Sequence, residues 1–198
     1  MLRLDISDES ALEKVARTLL EGGVVVLPTE TVYGLVTLWD NEKGRARIYA
    51  LKRRPANKLL QMLASSVEMA EQAGIVCNSR VLAVTKRFCP GPITIVAPDN
   101  DGGSIGFRIP NNDFMLRLLQ RLGKPLAATS ANLSGKLAAL NANDAICDLD
   151  GEPDAVLDGG EISVTGGKAS TVLSMLGEKP VILREGPISL AEIEAVIR

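Results

Sequence analysis

One segment limits the fold more than any other. Pro90-Gly91-Pro92 is a hard turn, residues 93–97 (ITIVA) read as a strand, and Asp99-Asn100-Asp101-Gly102-Gly103 is a polar, glycine-rich loop. Residues 104–109 (SIGFRI) then read as a returning strand. Strands joined by so short a loop run antiparallel, so a sheet that holds this pair is not wholly parallel. Around the hairpin, strands and helices interleave. A first helix runs from a cap at Ser10 to about residue 21, with Leu12, Val15, Ala16, Leu19 and Leu20 on one face, and Gly22-Gly23 stops it. Further helices are predicted at 41–52, 66–73, 78–88, 113–122 and 143–149, with a closing helix from Ser189 to 198. Further strands are predicted at 24–27, 59–64, 125–128, 155–157, 171–175 and 181–183. No repeat or low-complexity linker breaks this order. The pattern predicts one α/β domain over residues 1–198, built on a mixed parallel and antiparallel, twisted sheet with flanking helices.

Composition sets the chemistry. The 198 residues are 46% apolar, enough for a sizeable core. The formal charge is −2, against a protein that coats nucleic acid over its whole surface. Aromatics make up 3%, few for a protein that stacks on single strands. Histidine is absent, which removes every Ser-His or Cys-His catalytic pair and every histidine metal site. Cys77, Cys89 and Cys147 are widely spaced and odd in number, as expected of reduced thiols in a cytoplasmic protein. The first ten residues lack the apolar run of a signal peptide, and no stretch is long and apolar enough to predict a membrane span.

The charge is unevenly placed. Residues 43–58 (KGRARIYALKRRPANK) hold seven cations and no acid, nearly a third of the chain's 22 basic residues. Such a concentration in an acidic chain predicts a local anion site, although most charge runs are solvated helix faces. Pro55 closes the run and pushes Arg54 toward an extended backbone, so the last cations are expected to leave the helix and point into a groove. Polar clusters follow or precede predicted strands: Thr29-Glu30-Thr31, Ser130-Ala131-Asn132, and residues 166–171 (GGKAST). They offer hydroxyl, amide and backbone donors for phosphate or carboxylate oxygens; singly, Thr29 and Ser130 read equally as turn residues or caps. Gly166-Gly167-Lys168 lacks the spacing of a phosphate loop. Arg108, inside an apolar strand, and Arg184, after Val181-Ile182-Leu183, must each face solvent or meet a buried partner.

Taken in order, PTETVYGL, K-x-R-P-x-x-K, PGPIT, FRIP, TSANLSG, STV and ILREG resemble the YrdC-like threonylcarbamoyl-AMP synthases, also called TsaC, from about residue 11 to 186. The resemblance implies a single-domain fold around a large, positively charged cleft. It implies an enzyme, a nucleotidyltransferase, that joins L-threonine, bicarbonate or CO2, and ATP into threonylcarbamoyl-AMP with release of pyrophosphate. Mg2+ would arrive with ATP, and no tightly bound cofactor or protein metal site is expected. The product would pass to threonylcarbamoyl transferase proteins that modify tRNA, and tRNA or double-stranded RNA is a further partner. Lys52, Arg54, Ser130 and Asn132 match the family's K-x-R and S-x-N motifs and are the expected catalytic set. Thr29, Tyr33, Lys58, Arg108, Thr129, Ser170 and Arg184 are the expected substrate- and nucleotide-binding set. Many relatives carry proline after the Lys58 position and some a histidine a few residues on; here the run is Leu59-Leu60-Gln61-Met62-Leu63. The chain resembles the shorter members, without the added C-terminal domain. A paralogue that binds RNA without catalysis, and a carbamoyl-transfer module of hydrogenase maturation, are the competing expectations.

Overall fold

A computed structural model describes residues 1–162 and 168–197. Its strands are β1 (Leu2–Asp5), β2 (Val25–Pro28), β3 (Tyr33–Leu38), β4 (Gln61–Leu63), β5 (Ile93–Pro98), β6 (Ser104–Arg108), β7 (Leu126–Ser130), β8 (Ala155–Asp158), β9 (Thr171–Ser174) and β10 (Val181–Arg184). They form one sheet in the order β1-β8-β2-β3-β7-β4-β6-β5-β9-β10. β1 and β2 flank β8 in parallel, as β6 does β4 and β9 does β5, and the other neighbours are antiparallel. The mixed sheet is as expected, and the hairpin forms as β5 and β6, with Asp99 Oδ1 accepting from the amides of Asp101 and Gly103 in the loop. β1 was not anticipated: Leu2–Asp5 is short, has no turn signal before it, and shows one buried residue, Leu4.

The helices are α1 (Ala11–Leu20), α2 (Glu42–Leu51), α3 (Val67–Gln72), α4 (Ser79–Phe88), α5 (Asp113–Leu122), α6 (Ala142–Cys147) and α7 (Leu190–Glu194). Four begin at asparagine. The side chains of Asn41, Asn78, Asn112 and Asn141 each accept the amide three residues on, satisfying an orphan donor of the first turn. Ser10 does not cap α1 through its side chain; its hydroxyl donates to Asp8 Oδ1 instead. Ser189 forms a full capping box with Glu192, but α7 stops at Glu194, and Arg198 lies outside the described residues.

Side chains alternate across the sheet, and the two faces are covered differently. On one face α1 and α5 pack Val15, Leu19, Met115 and Leu118 against Val25, Leu27, Val36 and Leu126. On the other, α2 and α6 cover Val26, Leu35 and Val156, while α3, α4 and α7 cover Met62, Ile93, Ile95, Phe107 and Leu173. Among the described residues no helix covers the first face beyond β4. There the outward positions are Gln61, Thr94, Val96, Ser104, Gly106, Arg108 and Val172, which floor a cleft. Among the described residues no helix is long and apolar enough to cross a membrane.

Candidate active site

The end of α2 aims the first cation. Arg53 sits in the left-handed region at φ 47°, its amide bonds the Ala50 carbonyl, and the Arg54 amide bonds the Tyr49 carbonyl. These two bonds close the helix as a glycine cap would, and Pro55 prevents its continuation. Arg54 then turns into the cleft, where Nε and Nη2 donate to the carbonyls of Lys58 and Leu59, each at 2.8 Å. The rest of the cation run is spent elsewhere. Arg47 pairs with Asp154, Arg53 with Asp150, and Arg45 lies 5.0 Å over the Trp39 ring; Lys43 and Lys58 are exposed. The charge run is therefore mostly an outer helix surface, and one guanidinium from it reaches the cleft.

Lys52 takes a position that its sequence context did not reveal. It is 1% exposed, and Nζ donates to the carbonyls of Ser130 and Asn132, while its own carbonyl accepts the Ser134 amide. It stands behind the Ser130–Asn132 turn, off the cleft wall, and sets that turn's shape. Burial, then the charge of Arg54, pulls its ammonium down to about 7, and Asp148 partly offsets this. Asn132 is also buried. Its Nδ2 donates to the carbonyls of Leu133 and Lys136, and its Oδ1 and the Ser134 hydroxyl are buried with no partner among the described residues.

The cleft itself has a volume of about 370 Å3, within the range of small-molecule sites. Of the expected residues, Arg54, Arg108, Thr129, Ser130, Ser170 and Arg184 line it. Arg108 found a buried partner: Nη2 lies 2.6 Å from Glu30 Oε1, both terminal nitrogens donate to Thr31 Oγ1, and Nε donates to the Gly91 carbonyl. Glu30 Oε1 also accepts the Asn111 amide, and Oε2 is buried with no partner among the described residues. One arginine thus ties the turn between β2 and β3 to the turn before β5. Arg184 is exposed as a whole, but its guanidinium is partly buried where it folds over Ser170. Burial of its guanidinium, then the charges of Arg108 and Arg54, pull it below the ordinary arginine range, so the three cations share one field.

Thr29, Tyr33 and Lys58 lie off the main wall. Thr29 Oγ1 donates to the Val32 carbonyl and accepts the Val32 amide within its own turn, beside a small cavity behind the cleft. Tyr33 is fully buried, with its hydroxyl donating to the Gly160 carbonyl at 2.7 Å and accepting the Gly159 amide at 3.0 Å. Of the glycine-rich cluster, Gly166 and Gly167 lie outside the described residues. Thr31, named in a polar cluster but not among the expected binding residues, lines the cleft, as do Gln61, Thr94 and Gly106, which were not singled out. Strand alternation could have found the last two: in ITIVA and SIGFR the core residues Ile93, Ile95, Ile105 and Phe107 bracket them.

The Sua5, YciO and YrdC family model, described as telomere recombination, matches residues 17–186. The threonylcarbamoyl-AMP synthase of Pyrococcus abyssi is 35% identical over 96% of this chain and 58% of its own length. That of Bacillus subtilis is 34% identical over 98% of this chain and 60% of its own. The chain therefore spans about 60% of the length of these relatives. The crystal structure of P. abyssi Sua5 complexed with L-threonine superposes with a TM-score of 0.89 at 33% identity, over 99% of this chain and 60% of that one. Escherichia coli YciO superposes at 0.85 over 97% of each chain, and at 21% identity it supports the fold alone. On a match over 170 consecutive residues and these likenesses, the chain belongs to the Sua5/YciO/YrdC family.

Proposed function

We propose that this chain is a threonylcarbamoyl-AMP synthase, a nucleotidyltransferase acting on L-threonine, bicarbonate or CO2, and ATP. The observation that carries the proposal is the convergence of Arg54, Arg108 and Arg184 with Ser130 and Ser170 on one cleft, in a chain whose relatives bear that name. The threonine-bound Sua5 structure supports an amino acid in the same fold.

The chemistry suits a chain without histidine. The threonine amine adds to CO2 and loses a proton, giving a carbamate. A carbamate oxygen then attacks the α-phosphorus of ATP; the bond to the bridging oxygen breaks and pyrophosphate leaves with the electron pair. Such transfers depend on alignment and on stabilising charge as it develops, not on a strong side-chain base. Arg54 and Arg184 would neutralise the phosphates, Ser130 and Thr129 would offer hydroxyl donors, and Arg108, held by Glu30 and Thr31, would face the amino acid or phosphate end. Lys52 and Asn132 would shape the turn that presents Ser130. Mg2+ would enter as part of the nucleotide substrate, held mainly by phosphate and water. The product would feed a threonylcarbamoyl transferase acting on tRNA, in a reducing cytoplasm that suits three free thiols. RNA binding without catalysis is less favoured, because Arg47, Arg53 and Lys136 are committed to Asp154, Asp150 and Asp148.

The test is incubation with ATP, Mg2+, bicarbonate and L-threonine. Pyrophosphate release that requires threonine is expected, and Arg54→Ala should reduce it by roughly a hundredfold or more, as for loss of a donor aimed at developing charge. ATP binding with no threonine-dependent release would contradict the proposal.

A further inference from the structure

A hydrogen-bond chain crosses the cleft floor from the edge strand to the middle of the sheet. Arg184 on β10 donates to the Ser170 carbonyl from Nε at 3.1 Å and from Nη2 at 2.8 Å, and Nη2 reaches Ser170 Oγ at 3.0 Å. Ser170 Oγ lies 2.9 Å from Thr94 Oγ1 on β5, and Thr94 Oγ1 lies 2.7 Å from Gln61 Oε1 on β4. Ser170 and Thr94 are 1% and 3% exposed, so the central bond of the chain is buried. Between β5 and β4 runs β6, and the span is open because β6 carries Gly106 there. A Cβ on Gly106 would lie 3.4 Å from Thr94 Cγ2.

The chain has one direction. Arginine can only donate, so Ser170 Oγ accepts from it and turns its own hydrogen to Thr94. Thr94 accepts that hydrogen and turns its own to Gln61. The last acceptor must be the carboxamide oxygen, as the geometry has it; the reverse order would leave the Ser170 hydrogen without an acceptor in a buried place. Gln61 Oε1 is thereby fixed, which makes Nε2 the donor that Gln61 can offer to a ligand where it lines the wall with Arg108 and Ser130. A donor is held beside two other donors, in a cleft where three guanidinium groups already favour negative charge.

We propose that Gln61 is a substrate-binding residue whose Nε2–H donates to an anionic oxygen of the bound substrate, and that Thr94 and Ser170 are positioning residues that hold it in that orientation. The inference rests on the proposed function for the identity of its ligands: the acceptor is the amino-acid carboxylate or a nucleotide phosphate, which share this chemistry. Gln61→Glu keeps the size and the acceptor for Thr94 but replaces the donor with a negative charge. Thr94→Val keeps the shape but frees the amide to turn.

The experiment measures KM and kcat for ATP and for L-threonine separately, with calorimetric binding of each and the melting midpoint of each variant. Loss of a hydrogen bond to a charged group predicts that Gln61→Glu raises one of the two KM values by roughly tenfold or more. Which one rises names the acceptor. Thr94→Val should raise the same KM with kcat nearly unchanged, and Thr94→Ser, which restores the hydroxyl, should return it toward wild type. Wild-type KM values and affinities in Gln61→Glu would overturn the binding role. Equal behaviour of Thr94→Ser and Thr94→Val would overturn the positioning role. Should wild type show no threonine-dependent turnover, the proposed function falls, and calorimetry alone decides: weakened ATP or threonine binding in Gln61→Glu sustains the inference, and unchanged or absent binding overturns it.

Discussion

Lys52 belongs to a motif read from the sequence as an anion site, and the folded chain uses it to clamp two carbonyls. The motif was legible; the direction of the side chain was not, because it depends on where Ser130 and Asn132, some 80 positions away, return to α2. The placement has a pH consequence. In the folded chain Lys52 titrates near 7, below its ordinary 10.5, chiefly through burial. Between these values the unfolded chain holds a proton that the folded chain releases, so this group's contribution to stability rises with pH from about 7 toward 10.5 and is flat below about 7. Burial pushes the Cys77 and Cys89 thiols up to about 11, which works in the opposite direction at high pH. A Lys52→Met variant retains both thiols and loses only the lysine. Urea unfolding of both proteins at pH 7 and at about pH 9.5 should show wild type gaining stability relative to Lys52→Met as pH rises. Parallel changes in the two would show that Lys52 is not a buried titrating group. Arg108 was better constrained by sequence, since an arginine within an apolar strand leaves two choices; Glu30, which settles the choice, lies in the motif quoted beside it.

At the scale of elements, β5 and β6 carry the floor of the cleft, and their pairing was the most legible part of the chain. A turn, an alternating strand and a glycine loop are local signals. Alternation also encodes the floor, with Ile93, Ile95 and Phe107 in the core and Thr94, Val96 and Gly106 on the open side. Gly106 has ordinary strand geometry, so it is not there to permit a turn; its missing side chain is what matters. Gly106→Val should fold, because a β-branched residue suits a strand, with its methyl groups standing against Thr94 and Val96 and filling the floor. Calorimetry should show roughly tenfold or greater loss of ATP or threonine affinity with little change in melting midpoint. Wild-type affinity would mean that ligands do not approach the β6 backbone. Elements without such local signals were harder: β1 is short and mostly exposed, and β4 begins at Gln61 rather than residue 59 because Lys58 and Leu59 turn their carbonyls to Arg54.

At the scale of the whole molecule, the cleft exists where, among the described residues, one half of one sheet face has no helix on it. α1 and α5 cover that face only as far as Leu63 on β4, while five helices cover the opposite face across both halves. Strand order across ten strands decides this, and strand order is a long-range property that periodicity and turn residues do not carry. Arg54 arrives from α2, Arg108 from β6, Ser130 from β7 and Arg184 from β10, so sequence could nominate these residues but the topology gathers them. On the proposed function, this one cleft holds nucleotide and amino acid side by side. A crystal structure with L-threonine and a non-hydrolysable ATP analogue tests it directly. Phosphate oxygens are expected on Arg54 and Arg184, and the amino acid within the same cavity, within reach of Gln61 or Arg108. Either ligand seated elsewhere, such as on the outer cationic surface of α2, would contradict it.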